Sequence, residues 1–324
     1  MSTERFLARA GWPGARRLPL AGDASGRRYE RVSGGGHSVV LMESGEVPIG
    51  PFLAIARWLR EEGIHAPAVL AADELQGLAL LEDLGDGLLP SAIEGGASEA
   101  ELYEAVLALV LHMQARPAPS FLPPLDAPAL LAQLDLFLEF AVPLVPAGEA
   151  EAFRAAWRAP LEAACSGPQV FVHRDFHAMN LLWLPRETGL GRLGVIDFQD
   201  AFCGPAAYDV VSLLQDARRD VAPAVVRAFL QAYAERRPVA DHDAFAASLA
   251  ILGAQRAMRI LGVFARLERR GRTGYASLVP RVRRHLDANL LHPALAGIRA
   301  WCERHLATER APDRPAAGTS AGTS

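Results

Sequence analysis

Val170–Asn180, VFVHRDFHAMN, followed by the apolar run Leu181–Leu184, a turn at Pro185–Arg192 and Leu193–Asp197, LGVID, is the stretch that decides the fold. Two short apolar segments around a glycine-containing turn predict a β-hairpin. Asn180 stands at the start of its first strand and Asp197 at the end of its second, so antiparallel pairing returns both to one end. Asp175 lies on the loop that leads in. Two carboxylates and an amide oxygen then converge. Hard oxygen ligands of that kind suit Mg²⁺, which takes few protein groups and keeps phosphate and water as its other ligands.

Separately each of these residues is an ordinary turn or cap residue. Their joint spacing, H-x-D-x₄-N and then V-I-D across a hairpin, points to phosphoryl transfer. That chemistry needs metal ions on the β- and γ-phosphates, and a carboxylate that orients the attacking hydroxyl and takes its proton. Asp175 is the candidate base, and Asn180 and Asp197 are the candidate metal ligands.

Upstream the pattern is strand-like. A short helix in residues 1–15 precedes Arg17–Leu20, a turn at Gly22–Gly26, Arg28–Val32, a turn at Gly34–Gly36, and Ser38–Met42. Pro51–Glu62 has helical spacing, and Val69–Ala72 and Leu78–Glu82 read as two further strands. Residues 1–83 therefore predict an antiparallel sheet with one packed helix, the nucleotide-binding lobe. After a turn-rich stretch at Asp83–Gly96, amphipathic helices are predicted at Ser98–Ala115, with Ser98 as N-cap, at Pro128–Phe140, at Ala150–Ala164, and again from Tyr208 to Cys302. Residues 84–307 form the expected helical lobe and 308–324, ending in a duplicated AGTS, a disordered tail. The expected class is α+β, two-lobed, with a ligand cleft at the junction near Glu82–Gly85.

The 324 residues are 51% hydrophobic and 22% charged with a net charge of −4, a globular composition with no general attraction to nucleic acid or anionic lipid. Three scattered cysteines fit neither a disulfide framework nor a zinc site. With no apolar leader and no uninterrupted apolar run of spanning length, a cytoplasmic protein with a small-molecule substrate and no membrane partner is expected. All 33 cationic side chains are arginine, which excludes any function that needs a lysine amine.

His173–Asn180 and Gly194–Asp209, GVIDFQDAFCGPAAYD, resemble the catalytic loop and metal-binding segment of the aminoglycoside phosphotransferase and choline kinase group, whose fold is protein-kinase-like. Within that group Ala21–Val32, Val195–Leu214 and Gln255–Leu267, QRAMRILGVFARL, with Tyr275 and Pro280–Arg281, most resemble the bacterial kinases that phosphorylate the anomeric hydroxyl of N-acetylmuramate and N-acetylglucosamine. The resemblance covers residues 15–290. It implies ATP and Mg²⁺ as cofactors, Asp175 as base, Asn180 and Asp197 as metal ligands, His173 as a brace of the catalytic loop, and Asp209 as the acid that holds that loop by hydrogen bonds. His177 either orients the loop or fills it.

The strand-three lysine that holds the α- and β-phosphates in many relatives falls at Met42. Ser25, Arg27 and Arg28, at the end of the Gly22–Gly26 turn, are the candidate replacement, with alternation sending only one of the two arginines into the cleft. Glu61 and Glu62, without a lysine to pair, read as surface charges. Glu82 and Leu84 mark the hinge whose main chain would meet the adenine. Asp200 and Arg256 or Arg259 could face an acyl sugar and its carboxylate. The mixed spacing of Arg256, Arg259, Arg266, Arg269 and Arg270 favours instead a solvated face. The alternatives are a kinase for another small alcohol, such as an aminoglycoside or choline, and a nucleotide-binding protein without catalysis.

Overall fold

In the computed structural model, residues 3–20, 26–237 and 241–306 are described. Ser25, most of the Gly22–Gly26 turn and the expected tail lie outside them.

Helix α1 (Thr3–Arg9) leads into strands β1 (Arg16–Pro19), β2 (Arg28–Gly34) and β3 (His37–Glu43). Helix α2 (Gly50–Glu61) and strands β4 (Val69–Asp73) and β5 (Leu78–Glu82) follow. The strands form one antiparallel sheet in the order β1-β2-β3-β5-β4. Because strand side chains alternate, the sheet has two apolar faces. Val32, Val39, Leu41 and Leu80 pack under α1, while Met42, Ala79 and Leu81 join α2 and the main core.

The stretch read as turns carries a short helix, α3 (Leu89–Glu94). Helix α4 (Glu99–Gln114) begins as expected, with Ser98 Oγ accepting from the Glu101 N–H. The single helix expected over Pro128–Phe140 is broken. Helix α5 (Ala127–Gln133) ends before a π-turn at Phe137–Ala141. The cause is packing against the later helix His242–Arg269: a Cβ on its Gly262 would lie 2.4 Å from the Leu136 carbonyl carbon, so backbone meets backbone there. Helix α6 (Ala147–Cys165) precedes β6 (Gln169–Val172).

The hairpin forms as read, from β7 (Leu181–Trp183) and β8 (Leu193–Val195), with Leu181 opposite Val195. Strand β9 (Phe202–Pro205), not expected from the sequence, pairs with β6. Helices α7 (Ala207–Leu214), α8 (Pro223–Arg236), α9 (His242–Arg269), α10 (Val279–Leu290) and α11 (Ala296–His305) complete the chain. Helix α9 is long and apolar enough by length and composition to cross a membrane, although Arg256 and Arg259 interrupt its apolar run. However, 67% of that window is buried inside the protein, as in the central helix of a globular lobe.

One core cluster runs from α2 and the inner sheet face through the hairpin to α4 and α8. Burying both faces of the hairpin between these elements fixes the position of its open end.

Candidate active site

The hairpin's open end holds the three residues in one hydrogen-bonded unit. Asn180 Nδ2 donates to the Asp175 carbonyl at 2.9 Å and to Asp197 Oδ2 at 3.2 Å. The Ile196 N–H donates to the Asn180 carbonyl at 3.1 Å, which closes the pair of strands just before Asp197. With its amide nitrogen committed, Asn180 has no hydrogen bond to Oδ1 among the described residues. That oxygen and the Asp197 carboxylate are the hard donor pair Mg²⁺ takes when phosphate and water complete the shell. Among the described residues no group of three or more His, Cys, Asp or Glu is placed to hold a metal.

Asp197 has φ of 63° and Arg174 φ of 78°, the two non-glycine residues with left-handed backbone among those described. Such conformations cost of order 1–3 kcal/mol and persist where surrounding contacts over-determine them. Those contacts are present. The Phe198 ring is buried and stacks on Phe52 of α2 at 5.0 Å, and Gln199 Nε2 donates to Asp197 Oδ1 at 2.7 Å. Arg174 is framed by Asp209, whose carboxylate accepts from the His173 N–H at 2.7 Å and the Arg174 N–H at 3.0 Å.

His173 is fully buried, and its Nε2 donates to the Ile196 carbonyl at 2.9 Å, linking the catalytic loop to the second hairpin strand. Burial pushes its pKa down, so the ring is neutral. Burial also pushes the Asp209 carboxyl up to about 6. Asp175 is half-buried. Burial alone would raise its pKa, but the guanidiniums of Arg259, Arg174 and Arg256 outweigh it and hold the carboxyl below the ordinary carboxylate value.

His177 turns inward and accepts at Nε2 from Arg218 Nη1 at 2.9 Å. Burial first, then the Arg218 and Arg256 charges, push its pKa down to about 3. A depressed histidine contributes stability that is intact above its unfolded value near 6.5 and lost as pH falls toward the folded value, at about 1.4 kcal/mol per pH unit. Asp209 has the opposite sign, its contribution fading as pH rises through about 6. Urea unfolding at pH 7 and pH 5 isolates the first effect when the native chain is compared with His177→Gln, which keeps an acceptor for Arg218. The native chain is expected to lose about 2 kcal/mol more than the variant.

Of the two candidate phosphate arginines, Arg28 is exposed and paired with Glu43 at 3.0 Å on the outer sheet face. Arg27 is 8% exposed and, by alternation from Tyr29, falls on the face that carries Met42. Met42, at the place of the usual lysine, is completely buried. Glu61 is exposed, while Glu62 is partly buried and pairs with Arg116 at 3.4 Å.

At the hinge the Glu82 N–H is committed to the Ala68 carbonyl at 2.8 Å, which removes that donor from an adenine edge. Its carboxylate accepts from the Ala68 N–H and Arg60. The Leu84 side chain packs on the hairpin where Gly194 lies, and a Cβ there would come within 2.9 Å of it. Arg31, on the same sheet face as Arg27, donates in forked pairs to Asp83 and Asp86, a latch between sheet and hinge that the sequence reading missed.

Asp200 is half exposed and pairs with Arg174 Nη1 at 3.3 Å, with the Arg174 guanidinium over the Phe202 ring. It borders a cavity of about 300 Å³ with Ile55, Phe121, Gln199 and Phe202. Arg256 corrects the sequence reading. It does not lie on a solvated face but is 5% exposed, with Nη1 donating to the Gln215 carbonyl at 3.3 Å. Helical spacing alone cannot tell a face turned to water from one turned to α7 and α10.

The family profile described as phosphotransferase enzyme family (APH) matches residues 17–247. A Caulobacter vibrioides protein named N-acetylmuramate/N-acetylglucosamine kinase is 39% identical over 94% of this chain and 96% of its own. A Pseudomonas aeruginosa protein of the same name is 33% identical over 88% of this chain and 87% of its own. Among solved structures, a choline/ethanolamine kinase family protein from Mesorhizobium loti has a TM-score of 0.62 at 18% identity, covering 93% of this chain and 97% of its own. The ADP-bound aminoglycoside phosphotransferase APH(2'')-Ib has a TM-score of 0.61 at 17% identity, covering 87% and 95%. At such identities the likeness is one of fold, α+β and two-lobed in the protein-kinase manner, with the antiparallel sheet at the N-terminal end and helices dominating the rest.

Proposed function

Because this chain belongs to the phosphotransferase enzyme family, we propose that it moves the γ-phosphoryl group of ATP onto the anomeric hydroxyl of N-acetylmuramate or N-acetylglucosamine. Residues up to 83 form the nucleotide lobe and 84–307 the catalytic and acceptor lobe. The observation that carries the phosphoryl-transfer chemistry is the bonding of Asp175, Asn180 and Asp197 into one unit. The acceptor rests on relatives that share most of their length with this chain and bear that kinase name, among them the two described above.

Asp175 accepts the proton of the sugar hydroxyl as its oxygen attacks the γ-phosphorus and the bond to the β-phosphate oxygen breaks, leaving ADP and a sugar phosphate. Its low pKa keeps it ionised for that task at neutral pH. Asn180 and Asp197 would hold Mg²⁺, which when bound offsets the charge of the β- and γ-phosphates. Arg27, buried and by alternation on the sheet face that carries Met42, takes the phosphate-holding part that lysine plays elsewhere. Asp209 and His173 fix the loop, and Asp200 shapes the acceptor side.

ADP release across N-acetylmuramate, N-acetylglucosamine, aminoglycosides and choline, with phosphorus NMR on the product, tests this reading. Turnover with the two acetylated sugars and a phosphorus signal coupled to the anomeric proton are expected. Turnover with an aminoglycoside or choline alone would overturn the acceptor assignment.

A further inference from the structure

Helix α9 brings Arg256 and Arg259, one turn apart, to the catalytic loop. The neighbouring cations are already engaged. Arg174 is held by Asp200 and Phe202, Arg218 by His177, and Arg281 by Asp220. Arg256 is buried with its Nη1 on the Gln215 carbonyl, and its Nε is a buried donor with no partner. Arg259 is half-buried, and among the described residues no hydrogen bond, ion pair or ring contact is made by its guanidinium. It is nevertheless the strongest cationic influence on the Asp175 carboxylate, from beyond ion-pair distance.

A half-buried guanidinium beside the base, with an unpartnered arginine nitrogen a turn away, is electrostatically incomplete: desolvated charge is stabilised when an anion meets it. Helix α9 packs on α6, α7 and α10, within the part of the chain that the proposed function gives to the acceptor. On that reading the anion that meets Arg259 is the acceptor's. A planar guanidinium fork matches a carboxylate with two parallel hydrogen bonds. N-acetylmuramate differs from N-acetylglucosamine by a lactyl ether that carries a carboxylate.

We propose that Arg259 binds the carboxylate of the acceptor and so sets a preference for the anionic acetylated sugar over its neutral counterpart. The inference rests on the sugar-kinase reading above.

The test is kcat/KM for N-acetylmuramate and N-acetylglucosamine with the native chain, Arg259→Gln and Arg259→Lys. The assays run at pH 8, well above the ordinary carboxylate range. Arg259→Gln is expected to lose roughly 10–100-fold on the carboxylated sugar, mainly in KM, the range of a charge-assisted hydrogen-bonded pair. Its loss on the neutral sugar should be at least tenfold smaller. Arg259→Lys, which keeps the charge without the fork, should fall between, and serves as the readout if the glutamine variant does not fold. Equal losses on both sugars, or none on either, overturn the proposal. A native enzyme that turns over the neutral sugar alone overturns this inference and leaves the kinase reading standing, whereas one that turns over neither sugar removes both.

Discussion

Asparagine in place of Asp175 is expected to lower kcat by about 10²–10⁴-fold, the range for removal of a general base, while the loop keeps its shape. The shape survives because the Asp175 carbonyl, and not its carboxylate, receives Asn180 Nδ2 and the His177 N–H. MgATP affinity, followed by thermal shift, should stay near native, since the substituted group serves the acceptor's proton. Near-native turnover in a folded Asp175→Asn protein would remove Asp175 from the mechanism. The pH profile carries the same assignment. Arg259, Arg174 and Arg256 depress the carboxyl against the opposing effect of burial, so the active, ionised form persists as pH falls to the ordinary carboxylate value near 3.9 and is lost only below it. Any acid limb that appears between pH 5 and 7 belongs to another group.

Alanine at Asp197 should abolish Mg²⁺-dependent nucleotide binding. The change removes the one carboxylate of the donor pair and the acceptor of Asn180 Nδ2 and Gln199 Nε2 together. A metal site of one carboxylate and one amide has no spare charge, so an affinity loss of at least 10-fold for MgATP is expected, of the size found when a hydrogen-bonded charge is removed. Phe198, stacked on Phe52, keeps the segment in place, so the variant should fold, with unfolding without ligand shifted only by the loss of those two hydrogen bonds, about 1–3 kcal/mol. Unchanged MgATP affinity would show that the metal is held elsewhere. The two variants together separate proton transfer from nucleotide binding, because one should lose turnover with ligand bound and the other should lose the ligand.

The hairpin and the three residues at its open end were legible because their signal is local: strand periodicity, a turn, and residues at strand ends. The five strands of the N-terminal sheet were legible for the same reason. Strand β9 was not, because four residues carry little pattern and its pairing partner, β6, lies across the hairpin. The break between α5 and the π-turn was not, because its cause is the approach of Gly262, far away in the chain. Likewise the latch from Arg31 to Asp83 and Asp86 joins residues that no short-range pattern relates.

By itself the sequence predicted the type of chemistry, since H-x-D-x₄-N and V-I-D at that spacing set two carboxylates and an amide at one end of a hairpin, and the absence of lysine made arginine the candidate for the phosphate-holding part. Tertiary structure decided where each arginine lies. Arg27 and Arg28 are adjacent in the chain but fall on opposite faces of the sheet, one buried and one exposed, and Arg256 and Arg259 are one turn apart, one buried against the Gln215 carbonyl and the other half-buried. An arginine reads alike in any sequence, and its surroundings, assembled from distant segments, set whether it supports a loop, meets water or meets a substrate.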